Sequence, residues 1–405
     1  MSEWIETEIG RVPSDWELTT LGAICSVLTD GAHFSPKETK TNYYMASVKD
    51  MRYNHFDFAD CKTISKGDFS NLVENNCSPI YGDILISKDG ANCLDLIFVY
   101  KQSQKIVLLS SIAIARLKKG YDPDFYRYFL LSPDIQSTMR NNYVSGSAIP
   151  RVVLKDFKNV PVPILELNYQ KSIASILSSL DDKIDLLHRQ NATLEKMAET
   201  LFRQWFVEEA KKDWDSKSLS SIADFLNGLA CQKFPPKNDF GKLPVLKIKE
   251  LSSGITENSD WATTEVKPEY IVKNGDVIFA WSASLMVKIW DGQDCILNQH
   301  LFKVTSDDYP KWFYFLWCKH HLDEFIGKAA SHATTMGHIK RGDLDEALVL
   351  VPSEDELKEM TLIFQPILDK FISNNNQIRT LTDLRDTLLP KLMSGEVRVE
   401  TNKNE

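Results

Sequence analysis

No apolar run in this 405-residue chain approaches the ~20 residues that a helix needs to cross a bilayer, which excludes a helical membrane span. Cysteine is sparse and never paired. Cys25, Cys61, Cys77, Cys93, Cys231, Cys295 and Cys318 stand singly, with no Cys-x-x-Cys among them. An odd, scattered set in a chain this long argues against a disulfide framework and for buried thiols in a reducing cytoplasm. The opening "MSEWIETEIG" is acidic and lacks an apolar h-region, so no secretory signal is expected. Positive charge is also short: the net charge is −9, against a protein that coats nucleic acid by bulk charge.

Catalytic signatures are missing too. There is no Gly-x-x-x-x-Gly-Lys-Ser/Thr phosphate loop, no Gly-x-Gly-x-x-Gly after a strand, and no sign of a methyltransferase's cofactor loop and catalytic Pro-Pro pair. His320 and His321 are adjacent and His332 and His338 lie six apart, spacings that suit no helical metal pair. Glu356 and Lys358 form a Glu-x-Lys like that of metal-dependent nucleases. They sit where a long helix begins, and acidic residues are favoured there by the helix dipole. No catalytic and no metal site is therefore expected.

What is present is a duplication. "WELTTLGAI" from Trp16 echoes "WDSKSLSSI" from Trp214, and "SVKDM" ending at Met51 echoes "KIKEL" ending at Leu251. Gly82-Asp83 of "YGDILISKDG" returns as Gly275-Asp276 of "NGDVIFAWSA". "LLSSIA" from Leu108 parallels "ILNQHL" from Ile296, an offset of 188, and "NVPVP" ending at Pro163 parallels "LVLVP" ending at Pro352, an offset of 189. The matches keep one order while the offset drifts through loop insertions. Each copy begins with short apolar runs bounded by Gly, Asp and Asn ("DILIS", "IVLLSSIAIARL", "DVIFA", "CILNQHLFKV"), read as strands. Aromatic segments, "DPDFYRYFLLS" and "YPKWFYFLWCKHHLDEFI", read as helices. Each copy is thus an α+β globule followed by a long helix.

The two helices count out as heptads. The first seam reads Ile173, Leu177, Leu180, Ile184, Leu187, Asn191, Leu194, Ala198, Leu201, Trp205. A shift of 187 produces the second: Met360, Phe364, Ile367, Phe371, Asn374, Ile378, Leu381, Arg385, Leu388, Leu392. Steps alternate four and three, the mark of a coiled-coil face. Asn191 is the sixth layer and Asn374 the fifth, so full-length antiparallel pairing places the amides face to face. Parallel pairing would oppose each to an apolar residue, at a cost of about 1–3 kcal/mol. Antiparallel pairing within the chain is predicted, and with it a closed, pseudo-twofold dumbbell. The first seam, Ile173 to Trp205, is then a spacer of roughly 48 Å, about 14 base pairs of duplex. Pro366 suggests that the second helix begins afresh near it.

The polar loops beside the apolar strands are the candidate contact surface. Between Tyr81 and Val160 there are eleven basic and seven acidic residues, a local positive excess in a negative chain. "SKDGANC" and "WSASLM" follow the two Gly-Asp strands, and "GSAIPR" and "SHATTMGHIKR" precede the proline stops. Ser, Thr, His, Lys and Arg suit phosphate and base-edge contacts. The candidate DNA-binding residues are Ser87, Lys88, Asn92, Ser145, Ser147, Arg151, Trp281, Ser282, Ser284, Thr334, Thr335, His338, Lys340 and Arg341.

Together, "LFRQWFVE" (Leu201 to Glu208), "LLPKLMSGEVRV" (Leu388 to Val399), the twice-used Gly-Asp strand, "NQH" (Asn298 to His300) and the order globule, helix, globule, helix resemble the specificity subunits of type I restriction-modification systems. The resemblance covers nearly the whole chain. It implies two α+β target recognition domains in tandem, residues 1–165 and 213–352. They are separated by coiled-coil helices over 166–212 and 353–396, with a tail from 397 to 405. It implies that each domain reads one half of a split site in double-stranded DNA, and that the helices set the gap and dock two modification subunits. S-adenosylmethionine for adenine-N6 methylation, and ATP and Mg²⁺ for restriction subunits, are expected on partners; no cofactor is expected on this chain. The chain itself is expected to be a non-catalytic guide, with no membrane partner. Divergence between "SKDGANC" and "WSASLM" predicts an asymmetric site, since identical domains would read a palindrome. The alternative is a protein-interaction scaffold without base readout, which salt-dependent duplex binding would distinguish.

Overall fold

The computed structural model describes residues 3–146, 149–331 and 337–400. It divides into two compact units, Met1–Asp182 with Thr382–Glu405, and Lys183–Leu381. Among the described residues no helix is long and apolar enough to cross a membrane.

Each unit holds a four-stranded antiparallel sheet with the same order. In the first unit it is Cys25–Asp30, Ile112–Leu117, Ile84–Ser87, Ile97–Val99. In the second it is Asp224–Asn227, Leu301–Thr305, Val277–Ala280, Met286–Ile289. The central strands Ile84–Ser87 and Val277–Ala280 are buried along their whole length, and their apolar runs fit because both faces are covered. Ile84, Ile86, Ala113 and Ala115 pack on Phe125, Tyr126 and Phe129, while Leu85, Ile112 and Ile114 face Phe56, Phe98 and Tyr100. In the second unit Val277, Phe279, Phe302 and Val304 meet Trp312, Phe313 and Trp317, and Ile278, Ala280 and Leu301 meet Leu251, Trp290 and Leu297.

The aromatic segments are helices, as their spacing predicts. Pro123–Leu131 starts where the Asp122 carboxylate accepts the Phe125 amide at 2.9 Å and Pro123 occupies the first helical turn. Lys311–His320 and Leu322–Ser331 are the second-unit pair. The long apolar segments are each two strands. "IVLLSSIAIARL" breaks into Ile106–Leu108 and Ile112–Leu117, and "CILNQHLFKV" into Cys295–Leu297 and Leu301–Thr305. The first strand of each pair lies parallel to Tyr44–Ala46 or to Lys242–Leu246, outside the main sheet.

Two of the repeat registers are shifted. Ala32 and Leu229 donate their amides to Leu108 and Leu297, and Ser110 and Gln299 donate to Ala32 and Leu229. Leu108 therefore matches Leu297, an offset of 189 rather than the 188 read from "LLSSIA" and "ILNQHL". At the end of each globule Pro161 pairs with Thr20 and Leu348 with Ser218. That offset is 187, not the 189 implied by aligning the prolines: Pro163 matches Leu350, and Pro352 lies beyond the strand. Backbone pairing, not the recurrence of a residue type, sets register.

The first long helix, Leu167–Arg203, continues into a π-helical turn, Gln204–Glu208. The second, Glu354–Met393, is uninterrupted. It does not restart at Pro366. That residue is exposed, and Leu362, whose carbonyl loses its partner to the proline, is 77% exposed, so water can satisfy it. None of the twenty seam positions is exposed. The pairing is antiparallel in both units. Ile173 and Leu177 pack in one core with Leu389 and Leu392, and the rings of Trp205 and Phe364 lie 5.4 Å apart. The two central amides meet, with Asn374 Nδ2 donating to Asn191 Oδ1 at 2.9 Å.

Several smaller readings resolve. All seven cysteines are buried and unbridged, and burial pushes the Cys25, Cys61 and Cys295 thiols up to about 12. Glu356 is the third residue of the second long helix and closes a capping box with Ser353, whose amide and hydroxyl it accepts at 3.1 and 2.7 Å. Lys358 pairs instead with Glu354 and Asp355. His321 is buried, with Nε2 2.9 Å from the Leu348 carbonyl.

Candidate nucleic-acid interface

The Gly-Asp pairs are turns with a defined job. Gly82 and Gly275 have φ of +93° and +87°, a conformation that favours glycine. The aspartate that follows accepts the amide three residues back at 2.8 Å, from Ile80 to Asp83 and from Lys273 to Asp276. Each carboxylate also pairs with a cation on the neighbouring strand, Arg116 at 2.8 Å and Lys303 at 2.7 Å. The pair anchors the entry of a central strand and makes no phosphate loop.

Beyond that strand the two units share a second backbone pattern. Lys88 and Trp281 donate their amides to Ser111 and His300, at 2.9 and 3.4 Å. Their carbonyls accept Val152 and Ile339, at 2.9 and 3.1 Å. Asp89 bridges Arg151, and Ser282 bridges His338. Gly90 and Ala283, both with positive φ, donate to Pro150 and Gly337. Position for position, Lys88 matches Trp281, Asp89 matches Ser282, Arg151 matches His338 and Ser111 matches His300.

One partner comes from far away in sequence. Gly31 and Gly228 pass so close to the returning chain that a Cβ would sit 2.2 Å from the Leu108 carbonyl oxygen or 2.3 Å from that of Asn298. The residue before each glycine, Asp30 or Asn227, is thereby delivered to the cluster. Asp30 lies 3.2 Å from Lys88 Nζ; Asn227 Oδ1 accepts Trp281 Nε1 at 3.2 Å. The same two positions make the same contact with unlike chemistry. In the first unit the chain of contacts runs Asp30, Lys88, Asp89, Arg151, with Asp89 3.6 Å from Lys88 and 3.2 Å from Arg151 Nε. In the second, Trp281 stacks on Phe302 at 5.6 Å, beside His300 at 5.9 Å and His338 at 6.4 Å, and Ser282 Oγ lies 3.2 Å from His300 Nδ1.

The predicted residues fall into distinct groups. Ser87, Lys88 and Ser282 are buried, which corrects their reading as exposed loop contacts. Ser87 Oγ donates to the Asn92 carbonyl and accepts the Leu96 amide, so it staples the turn. Lys88 is held between two carboxylates, and Ser282 faces inward on His300. Trp281 is half-buried. Asn92, Ser145, Arg151, Ser284, His338, Lys340 and Arg341 are exposed. Of these, Ser145 Oγ donates to the Arg151 carbonyl at 3.4 Å, and Arg341 donates to the Phe225 carbonyl at 3.4 Å. Ser147, Thr334 and Thr335 lie outside the described residues. Asp30, Asp89, Asn227 and His300 were missed as site residues. A signal existed for two of them, since "TDG" ending at Gly31 and "LNG" ending at Gly228 are a further step of the internal repeat.

Comparison with known proteins bears on what these paired clusters serve. The type I restriction modification DNA specificity domain matches residues 13–196 and again 211–382. The chain belongs to that family. Within it, the chain is 27% identical to the type I restriction enzyme MjaIX specificity subunit of Methanocaldococcus jannaschii, covering 98% of this chain and 97% of that one. It is 22% identical to the MjaVIII specificity subunit of the same organism, over 96% and 95%. The crystal structure of a type I system S subunit from M. genitalium shares the fold, with a TM-score of 0.57 at 14% identity over 93% of this chain and 96% of that one. The specificity family thus accounts for both globules and both helices. It is a family of DNA-binding subunits that assemble with other subunits, and two specificity domains in tandem fit bipartite DNA recognition.

Proposed function

We propose that this specificity chain reads an asymmetric, split duplex site, one half per globule, and acts as a non-catalytic guide for partner subunits. The observation that carries the reading is the pair of equivalent clusters, in which one backbone frame bears Asp30, Lys88, Asp89 and Arg151 in one globule and Asn227, Trp281, Ser282 and His338 in the other. Two copies that keep their hydrogen bonds but exchange charged for aromatic and neutral groups offer different partners to base edges. Of the sequence candidates, those left exposed (Asn92, Ser145, Arg151, Ser284, His338, Lys340 and Arg341) are the proposed DNA contacts.

The helices are proposed to set the gap and to dock two modification subunits that carry S-adenosylmethionine and methylate adenine N6. Exposed apolar side chains along them, Ile176, Leu186, Met197, Leu362 and Leu384, support such docking. Restriction subunits using ATP and Mg²⁺ complete the proposed assembly, in the cytoplasm. The test is to map methylated adenine in a genome carrying this chain and its modification subunit. A single split, non-palindromic motif is expected. A palindromic motif, or methylation that does not depend on this chain, overturns the reading.

A further inference from the structure

We infer that Arg151 reads a guanine in the half-site of the first globule, with Asp89 as its buttress and the Lys88–Asp30 pair as the anchor of that buttress. The inference rests on the reading that this globule contacts a half-site.

Arg151 stands at the surface, its side chain 53% exposed, while Asp89 behind it is 20% exposed and Lys88 is 4% exposed. Among the described residues its Nε alone is engaged, by Asp89 Oδ1 at 3.2 Å. Among the described residues no side chain or carbonyl takes the two terminal amino groups. A guanidinium held by Nε presents those groups as a fixed fork, and guanine, with O6 and N7 side by side in the major groove, is the base edge that accepts such a fork.

Arginine also binds phosphate, so the surroundings must decide. A phosphate contact needs net positive potential and tolerates a mobile side chain. Here two carboxylates and two cations cancel across Asp30, Lys88, Asp89 and Arg151, which lowers the attraction for a phosphate. What the cluster does provide is orientation. Lys88 cannot reach solvent, and its ammonium fixes Asp89 from behind. Orientation without net charge serves a base edge. At the matching position the second globule offers no such fork, because His338 stands there and Ser282 replaces the buttress.

The test uses the full chain assembled with its modification subunit, binding a library of duplexes randomised over both half-sites. The wild-type complex should select a split motif with guanine at one position of one half. Arg151→Gln should lose on the order of 10- to 100-fold of the guanine preference at that position alone. Arg151→Lys should lose it too, since lysine keeps the charge but not the fork. Asp89→Asn should weaken it in the same place, and Asp182→Ala, an exposed position on the first long helix, should leave it unchanged. A split motif that Arg151→Gln leaves intact overturns this inference alone. So does a uniform drop across all sequences that Arg151→Lys restores, the behaviour of a phosphate contact. If the wild-type complex selects no split motif, the functional reading falls and takes the inference with it. Matching thermal midpoints of the variants exclude misfolding as the cause.

Discussion

Asn374 Nδ2 donates to Asn191 Oδ1 at 2.9 Å, and the two amides sit in the seam with Asn374 fully buried and Asn191 nearly so. Asn191 Nδ2 in turn donates to Asn375 Oδ1 at 2.5 Å. A polar layer of this kind holds one register against its neighbours, since any one-layer slip sets each amide against an apolar side chain: Phe371 or Ile378 for Asn191, Leu187 or Leu194 for Asn374. Replacing either asparagine by leucine should cost about 1–3 kcal/mol, because the survivor loses the hydrogen bond between the two amides in a buried layer. The double leucine variant should recover most of that loss, as denaturant titration of the four chains would reveal in a double-mutant cycle. Additive losses would mean that the amides do not act as a pair.

A second polar node explains the charge in the seam. Arg385 occupies a layer position and donates to Asp181 Oδ1 at 3.0 Å, while Arg127 Nη1 and the Tyr128 hydroxyl donate to Asp181 Oδ2 at 3.1 and 2.7 Å. Tyr53 completes the cage, donating to the same carboxylate at 3.1 Å. Asp181 and Arg127 are both buried. Asp181→Ala should therefore cost about 3–5 kcal/mol, most of it from leaving Arg127 charged and unpaired. Chemical denaturation checks this, and Asp182→Ala, one residue on and exposed, should be near neutral.

Glu356 predicts an acid-sensitive step. Its carboxyl is held down at about 2, first by Lys211 and then by the Ser353 hydroxyl and amide. A depressed value in the folded chain contributes stability above the ordinary carboxyl value of 4.5, and that contribution is lost as pH falls from there towards 2. Glu356→Gln should lower stability by about 1 kcal/mol near neutral pH by weakening the cap. It should also flatten the pH dependence of the thermal midpoint below about pH 4.5, a direction set by the sign of the shift.

Gly31 and Gly228 predict a matched pair of failures. Alanine at either position places a methyl within 2.3 Å of a carbonyl oxygen. Backbone cannot yield cheaply, so each variant should unfold or displace the strand entry, seen as a lost cooperative melt. Gly67→Ala, whose nearest neighbour is the Ser65 Oγ at 3.9 Å, should melt as the parent does.

The seven thiols offer a check on both cores at once. Burial pushes each of them up from its ordinary value. A water-soluble thiol reagent should label the native chain slowly and the denatured chain fully, because the thiolate is the reactive form. Rapid native labelling of any one cysteine would locate an opened region.

The heptad steps and the order of Gly-Asp, aromatic and proline landmarks were legible because they are local. Periodicity records which side of a helix is covered, and the two off-centre asparagines favour the antiparallel direction from their layer numbers alone. The repeat was legible for the same reason, but its register was not at two places. Serines and prolines recur without pairing, and only the ladders at Leu108 and Pro161 decided which residues match.

Site residues were less legible. "SKDG" reads as a polar, exposed turn, yet Ser87 and Lys88 are buried in it. Asp30 is brought to Lys88 because Gly31 lets the chain pass against a distant strand, and no window of sequence contains both residues. The duplication and the helix pairing were readable from spacing along one chain, and the family from motifs carried on that spacing. Tertiary structure alone decided which polar side chains spend their hydrogen bonds inside and which one, Arg151, is held outward. The reason is physical: a contact between residues tens of positions apart has no periodicity to betray it, and charge is satisfied in space, not along the chain.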